Sequence, residues 1–285
     1  MPFFNRIAIL GPGLLGASLG MAIRKREISK SIRVWARKQS SLQKCKEEVW
    51  CDEISSSLEE AVNACDLVVV CTPIKHIEET LRKIIPKCSE DTIITDVGSV
   101  KGSICKVAKE SSSGKGTCFI GSHPMAGSEK SGMENANAEL FENRTCMITP
   151  YPEDSIVEIE KLESFWRLLG MQVHRETPKD HDSIVSSISH LPHLIASSLA
   201  DHLASCPASW LEMAGQGFKD TTRIAQGDPA LWCEIMKSNR ENLCDSLDQW
   251  QKSVDEVRSL LHAEKWDNLT QYLSGAADHR KKIKS

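Results

Sequence analysis

The chain lacks a long apolar run, a surplus of basic residues and any cysteine pair spaced to hold a metal. No segment approaches the roughly 18 consecutive apolar residues that a transmembrane helix requires. Basic residues number 35 against 39 acidic ones, a formal net charge of −4, unlike most proteins that bind nucleic acid or a membrane surface. The sequence therefore predicts a globular protein with a small-molecule ligand and no association with nucleic acid or membrane.

The eleven cysteines are odd in number and show no C-x-x-C spacing. Both features argue against a disulfide framework and against a zinc ribbon. The N-terminal stretch MPFFNRIAILGPGLLG is apolar, but it has almost no basic residues and runs directly into a glycine motif, unlike a signal peptide. We therefore expect reduced thiols and a cytoplasmic location.

Short runs rich in β-branched residues alternate with helical patterns up to about residue 178. The predicted strands are residues 6–10, 32–36, 67–71, 92–96, 118–121, 145–149 and 171–175. Strands and helices alternating at this spacing predict a mostly parallel sheet covered by helices. The remaining chain contains no convincing strand and several long helical patterns. The sequence thus predicts an α/β domain over residues 1–178 and an all-α domain over residues 179–285.

The motif GPGLLG follows the first predicted strand and opens a helix. Its spacing suits a dinucleotide, because Gly11 permits a tight turn, Gly13 lets the backbone approach a pyrophosphate, and Gly16 lets helix and strand pack closely. The predicted cofactor contacts are Gly11, Gly13, Leu14, Leu15, Gly16, Arg37 and Thr72.

The second predicted strand bears on the choice of cofactor. An Asp or Glu about 20 residues beyond the glycines binds the ribose 2′-hydroxyl of NAD, whereas an Arg there accommodates the 2′-phosphate of NADP. No acidic residue lies between Glu27 and Glu47, and the strand is followed by Arg37 and Lys38. This pattern favours NADP over NAD; the alternative is that Arg37 is a solvated loop charge.

Polar residues also follow two later predicted strands, at the edge where an open α/β sheet binds ligands. They are Asp96, Ser99 and Lys101 after the fourth strand, and Ser122, His123 and Glu129 after the fifth. In the helical half, SHLPH places His190 three residues from His193. This pair could form half of a zinc site, but no H-E-x-x-H or C-x-x-C partner accompanies it, so we predict no metal.

Four motifs in order, TDVGSVKG, GSHPMAGSEKSGMENANAELF, SHLPH and GFKDTTRIAQGDPALW, resemble those of the prephenate dehydrogenase (cyclohexadienyl dehydrogenase) family. The resemblance extends from residue 6 to about residue 261. It implies a Rossmann-like domain followed by a helical dimerisation domain, a homodimer, and an active site in the cleft between the domains. The implied reaction is the oxidative decarboxylation of prephenate to 4-hydroxyphenylpyruvate, in tyrosine biosynthesis, with hydride transfer to the nicotinamide; arogenate would give tyrosine directly.

The same resemblance implies roles for individual residues. His123 would accept the proton of the substrate 4-hydroxyl, and Ser99 would share that hydrogen bonding and orient His123. Arg223 would bind a substrate carboxylate, since a guanidinium matches that group with two parallel bonds. The residues expected to line the site from the helical domain are His190, His193 and Trp232, although Trp232 could equally be a core residue.

Two other functions are compatible with the sequence. A 3-hydroxyacid dehydrogenase also joins a Rossmann domain to a helical one and relies on a catalytic lysine, for which Lys219 is the candidate. A nicotinamide-binding sensor would need the cofactor glycines, but not His123, Ser99 and Arg223 together.

Overall fold

The computed structural model describes residues 2–112, 118–127 and 132–283. Glu129 and part of the stretch SEKSGMEN fall outside these ranges. The chain forms two compact units, residues 1–239 and 240–285. This division by contacts places the helices from residue 178 to residue 238 in the same unit as the sheet; the domain boundary at 178/179 stays a prediction from the strand pattern.

The first unit is built on a sheet of six parallel strands in the order β3-β2-β1-β4-β5-β6. The strands are β1 (Phe4–Leu10), β2 (Ser29–Trp35), β3 (Glu53–Ser55), β4 (Leu67–Val70), β5 (Ile93–Asp96) and β6 (Cys118–Phe119). In the register of the central strands, Ile7 pairs with Ile32 on one side and Leu67 on the other. The order reverses between β1 and β4, which opens a crevice at their carboxyl ends. The mostly parallel α/β fold is thereby confirmed.

A second sheet of three strands has the order β7-β8-β9. It contains β7 (Gly121–Pro124), β8 (Thr145–Thr149) and β9 (Gln172–Arg175), with β7 antiparallel to β8. The predicted strand 118–121 is therefore split between two sheets. His123 lies inside β7, opposite Met147, rather than beyond the end of a strand.

Strand β3 has no counterpart in the predicted strands. It contains only three residues and pairs with β2 alone at the edge of the sheet. A segment of this length is too short to show a two-residue alternation.

Six helices accompany the strands, and a run of further helices follows β9. The first set is α1 (Leu14–Lys25), α2 (Gln39–Lys46), α3 (Leu58–Val62), α4 (Ile74–Ile84), α5 (Gly102–Ser111) and α6 (Ile156–Leu168). The second set in the first unit is α7 (Pro178–Val185), α8 (Leu191–Ala204), α9 (Ser209–Glu212), α10 (Gln216–Thr222) and α11 (Pro229–Ser238). From residue 178 to residue 283, all of which are described, there is no strand.

The main sheet is buried on both faces. Ile7 and Ile9 belong to one apolar cluster, together with Trp166 of α6, whereas Ala8 and Leu10 belong to a second cluster on the opposite face. Alternate residues of a strand point to opposite faces, so a near-continuous apolar strand is what a doubly covered parallel sheet requires.

A π-helical turn, residues Ser186–His190, connects α7 to α8 without a break. Pro192 stands in the first turn of α8 and has no N–H to donate, so the preceding helix cannot keep a regular hydrogen-bonding pattern through it. The turn brings His190 to the start of α8.

The second unit consists of α12 (Arg240–His262) and α13 (Trp266–Lys282), which pack against each other. Within the described parts of the chain, no helix has the length and apolar character to cross a bilayer.

Candidate active site

The glycine motif occupies the crevice between β1 and β4. Gly11 has a φ of +105°, and a Cβ there would lie 2.9 Å from the backbone of Cys71 and of Thr72. A Cβ on Gly16 would lie 2.1 Å from the carbonyl oxygen of Gly11. Both positions therefore require glycine, as the motif predicts.

Two further observations fit a bound dinucleotide. A Cβ on Gly13, the N-cap of α1, would meet nothing within 4 Å, so a pyrophosphate has room to approach the helix N-terminus. The Thr72 hydroxyl is buried and has no hydrogen-bond partner among the described residues, as expected of a group that a ligand satisfies. Leu14 and Leu15, the first residues of α1, are half-buried beside these groups.

Arg37 follows β2 and is exposed. Its Nη1 lies 3.3 Å from Nε2 of His76, near the start of α4. The segment that follows β2 and the first turn of α4, which follows β4, therefore lie next to each other at these two residues. Neither Arg37 nor His76 makes an ion pair with a described carboxylate.

Asp96 and Lys101 form a fully buried ion pair in the turn between β5 and α5. The Asp96 carboxylate also accepts hydrogen bonds from the backbone N–H groups of Gly98, at 2.8 Å, and Ser122, at 3.2 Å. These contacts fix the turn that carries the half-buried Ser99, and they tie it to β7. Lys101 and Asp96 are therefore structural rather than free to bind a ligand.

His123 lies at one end of a buried series of hydrogen bonds. Its Nδ1 is 2.9 Å from Nε2 of His181, and Nδ1 of His181 is 2.8 Å from Oδ1 of Asp182. His181 is fully buried, and His123 is only 8% exposed. The side chain that contacts His123 directly is thus His181, from α7.

Burial determines the protonation states of these three hydrogen-bonded side chains. Desolvation lowers the pKa of His123 well below its ordinary value, and His181, Lys101 and His190 lower it further. Desolvation also lowers the pKa of His181, although its hydrogen bond to Asp182 acts in the opposite direction. Burial pushes the pKa of Asp182 upward, but hydrogen bonds from His181 and from two backbone N–H groups hold it below the usual range. At neutral pH, therefore, His123 and His181 are neutral imidazoles and Asp182 is a carboxylate.

His190 and His193 lie on the helical side of the site. Desolvation lowers the pKa of His190 to about 4 and also lowers that of His193. His190 Nδ1 is 3.2 Å from the side-chain nitrogen of Asn239. Nε2 of His190 and Nδ1 of His193 are buried and have no partner in the described parts of the chain.

Trp232 stacks on His193, with ring centroids 3.6 Å apart and 12° between the planes. A Cβ at position 227 would lie 2.4 Å from Nε1 of Trp232, so Gly227 makes the stack possible. Trp232 also packs edge-to-face with His190, with the ring centroids 6.3 Å apart. The structure thus brings His190, His193 and Trp232 into one group.

Arg223 and Lys219 are exposed. Arg223 opens a 3-10 turn, Arg223–Gln226, that packs on α8. Its guanidinium pairs with no carboxylate in residues 2–112, 118–127 and 132–283, so it is available to an anionic ligand. Nor do those ranges contain a cluster of three or more side chains suited to hold a metal ion.

His181 and Asp182 contact the site, but no pattern in the sequence singles them out. They lie in the segment ETPKDHD, where Thr177 caps α7 by accepting a hydrogen bond from the N–H of Asp180 at 3.0 Å. The helix start is recognisable from Thr-Pro followed by an acidic residue. Nothing local indicates that His181 contacts His123, which is 58 residues away.

The strand order, the glycine motif and the helical extension define a Rossmann-type dinucleotide-binding protein. A family model described as the nucleotide-binding domain of prephenate dehydrogenase matches residues 19–175, and one described as its dimerization domain matches residues 177–275. The chain therefore belongs to the prephenate dehydrogenase family and is an oxidoreductase of that family.

Individual relatives agree with this assignment. Prephenate dehydrogenase of Bacillus subtilis is 31% identical over 97% of this chain and 75% of its own length. Cyclohexadienyl dehydrogenase of Zymomonas mobilis is 26% identical over 100% of this chain and 98% of its own length.

Solved structures show the same architecture. Aquifex aeolicus prephenate dehydrogenase, in complex with hydroxyphenyl propionate and NAD⁺, superposes with a TM-score of 0.89 at 29% identity, covering 98% of both chains. Arogenate dehydrogenase of Synechocystis superposes with a TM-score of 0.85 at 33% identity, over 97% of this chain and 99% of its own. A 3-hydroxyisobutyrate dehydrogenase of Mycobacterium tuberculosis, at 13% identity and a TM-score of 0.53, shares the fold alone.

Proposed function

We propose that the protein catalyses the oxidative decarboxylation of prephenate to 4-hydroxyphenylpyruvate. The observation that carries the proposal is the buried, neutral imidazole of His123, in the same compact unit as a glycine loop suited to a dinucleotide. A neutral imidazole can accept a proton from a substrate hydroxyl, which is the general-base step that this reaction needs.

In the proposed reaction, bound nicotinamide supplies the acceptor for the hydride that leaves the ring carbon bearing the hydroxyl. His123 accepts the proton of that hydroxyl, which raises electron density on the ring carbon. The bond to the ring carboxylate breaks, CO₂ leaves, and its electron pair completes the aromatic ring. His123 then returns the proton to the phenolate oxygen, so the net reaction releases CO₂ and no proton.

We assign substrate binding to Arg223, Ser99 and the two histidines of SHLPH. Prephenate carries two carboxylates, and Arg223, which is exposed and makes no ion pair with a described carboxylate, suits one of them. The unpartnered nitrogens of His190 and His193 suit polar groups of the substrate. Ser99 would share the hydrogen bonding of the 4-hydroxyl, and Trp232 supports the His193 ring by stacking on it.

For the cofactor, we propose NADP in preference to NAD. The support is the position of Arg37 beyond β2, next to His76, and the absence of an acidic residue between Glu27 and Glu47. A guanidinium there suits the 2′-phosphate, whereas NAD would be served by a carboxylate.

We further propose that residues 179–285 form the dimerisation and substrate-binding domain of a cytoplasmic homodimer. The first unit exposes an apolar surface in this region: Trp210 is 51% and Met213 70% exposed. They help to line a hollow of about 300 Å³. Apolar surface of this kind is typical of a protein–protein interface.

Arogenate is the alternative substrate. It differs from prephenate in carrying an amino group where prephenate has a keto group. The relative from Synechocystis is an arogenate dehydrogenase, so the same fold serves that substrate too.

The test is a four-way rate assay of the purified protein with prephenate or arogenate and with NAD or NADP, followed by nicotinamide absorbance. We expect the highest kcat/KM for prephenate with NADP. Faster turnover of arogenate would reassign the substrate, and faster turnover with NAD would refute the role of Arg37. Cofactor binding without turnover of either substrate would refute the enzyme and favour a nicotinamide-binding sensor; turnover of a 3-hydroxyacid instead would favour the Lys219 alternative.

A further inference from the structure

We propose that Asp182 and His181 are positioning residues that hold His123 in the tautomer with hydrogen on Nδ1, so that Nε2 is its proton-accepting atom. The inference deepens the proposed function and rests on it for the catalytic consequence. The tautomer itself follows from the hydrogen-bond donors and acceptors and from the burial of His181.

The Asp182 carboxylate can only accept hydrogen bonds. Its Oδ1 receives the backbone N–H of Lys101 at 2.7 Å, and its Oδ2 receives that of Gly102 at 2.8 Å. Both donors belong to the N-terminus of α5, where a negative charge is favoured. Gly102 permits the approach, since a Cβ there would lie 2.8 Å from Oδ2. The carboxylate is therefore ionised, and Nδ1 of His181 must donate to it.

His181 connects Asp182 to His123. With its hydrogen on Nδ1, the neutral ring has a lone pair on Nε2, which is the atom 2.9 Å from His123. Two nitrogens at that distance need one donor and one acceptor. A doubly protonated His181 would reverse their roles, but the ring is fully buried, and the ammonium of Lys101 also disfavours a positive charge there.

His181 in turn determines which nitrogen of His123 carries the hydrogen. Because Nε2 of His181 accepts, Nδ1 of His123 must donate, and in a neutral ring the lone pair is then on Nε2. The hydrogen bond of the His123 ring to a described residue is made through Nδ1 and not through Nε2. Once Nε2 takes a proton, the ring is positive and donates through Nδ1 to a chain that ends on the Asp182 carboxylate. Lys101 and His190, which also face His123, oppose that charge.

The tautomer is measured directly by ¹⁵N NMR of histidine-labelled protein at neutral pH, with His123 identified from the signals missing in His123→Asn. We expect hydrogen on Nδ1 and a lone pair on Nε2. Hydrogen on Nε2 in the unmodified protein would overturn the proposal. Because this measurement needs no turnover, it is independent of the substrate assignment.

Variants at position 181 test whether His181 determines the tautomer. Gln offers an amide oxygen that can still accept from Nδ1 of His123, whereas Leu offers none. We expect His181→Gln to keep hydrogen on Nδ1 and at least a tenth of kcat. His181→Leu should move the hydrogen to Nε2 and lower kcat by a factor of 10² or more, with little change in KM. Equal tautomers and equal kcat in the two variants would refute the role of His181.

Asp182→Asn tests the far end of the chain, because an amide nitrogen turned toward His181 reverses every donor and acceptor down to His123. We expect a partial or complete shift of the hydrogen to Nε2 and a fall in kcat of at least 10²-fold, by analogy with other catalytic histidines that lose their carboxylate. Val185→Ala, in the fully buried end of the same helix, is the matched control. If it lowers kcat as much as Asp182→Asn does, or if Asp182→Asn leaves the tautomer unchanged, the positioning role of Asp182 is refuted.

Discussion

Acidification should destabilise this protein through His190. The ring is 1% exposed, and desolvation is the largest cause of its low pKa, with smaller contributions from His181 and His193; Asp182 acts in the opposite direction. A histidine whose pKa is lower in the folded than in the unfolded chain contributes stability that is complete above the unfolded pKa. That contribution is lost as the pH falls toward the folded pKa.

The loss of stability on acidification can be calculated from the pKa of His190 in the unfolded and in the folded chain. The pKa of His190 falls from 6.5 to about 4, and one pKa unit corresponds to about 1.4 kcal/mol. The full effect is therefore about 3 kcal/mol, and about 2 kcal/mol of it is lost between pH 7.5 and pH 5. That is a substantial part of the ~5–15 kcal/mol by which domains are stable.

The assay is urea unfolding of the unmodified protein and of His190→Asn at pH 7.5 and pH 5.0, at one protein concentration because the proposed dimerisation would make stability depend on concentration. Other titrating groups are common to both proteins. The loss of unfolding free energy on acidification should thus be smaller by about 2 kcal/mol in His190→Asn. His202→Asn, at an exposed histidine of α8, should behave as the unmodified protein does. A difference below about 0.5 kcal/mol, or the same difference in His202→Asn, would show that the neutral buried state of His190 is not what links stability to pH.

Further predictions concern catalysis. His123→Asn should lower kcat by roughly 10²- to 10⁴-fold with KM nearly unchanged; a normal kcat would remove His123 from the chemistry. Because burial holds the pKa of His123 below its ordinary value, kcat of the unmodified enzyme should persist below pH 6.5 and decline only at lower pH, and a decline centred at or above that pH would contradict this. Arg223→Ala should raise the KM for substrate by an amount equivalent to about 1.5–3 kcal/mol, while Lys219→Ala should leave kcat unchanged; the reverse pattern would favour a catalytic lysine. Arg37→Ala should raise the KM for NADP more than that for NAD, and equal effects would mean that Arg37 is a solvated loop charge.

Local backbone requirements and the apolar pattern are readable in the sequence. Gly11 and Gly16 are predicted from spacing alone, and the structure supplies the reason: one has a positive φ and the other has no room for a Cβ. The strands β1, β2, β4 and β5 are predicted because each contains a short run rich in β-branched residues. Every residue of β4 and β5 is buried, whereas β2 alternates buried Ile32 and Val34 with half-buried Arg33 and Trp35. In each case the physical cause acts within a few residues of the signal.

The place of His123 after a predicted strand, and the spacing of His190 and His193, mark these residues as candidates. Their roles, and that of Arg223, come only from resemblance to a family. The sequence does not predict that β6 and β7 belong to different sheets. A single residue, Ile120, separates them, and which sheet a strand joins depends on distant partners: β6 pairs with β5, whereas β7 pairs with β8.

Tertiary structure alone decides how His123 is held. His181 and Asp182 look like the start of an ordinary capped helix, and that local description is correct. Their contact with His123 arises because α7 packs against α5 and β8, which brings together residues 58 positions apart. The sequence by itself thus determined the strands and the glycine loop, since these depend on local geometry, and its motifs indicated His123 as the candidate base. The burial and the hydrogen-bond partners of that base depend on packing between distant segments, and only the folded chain determines them.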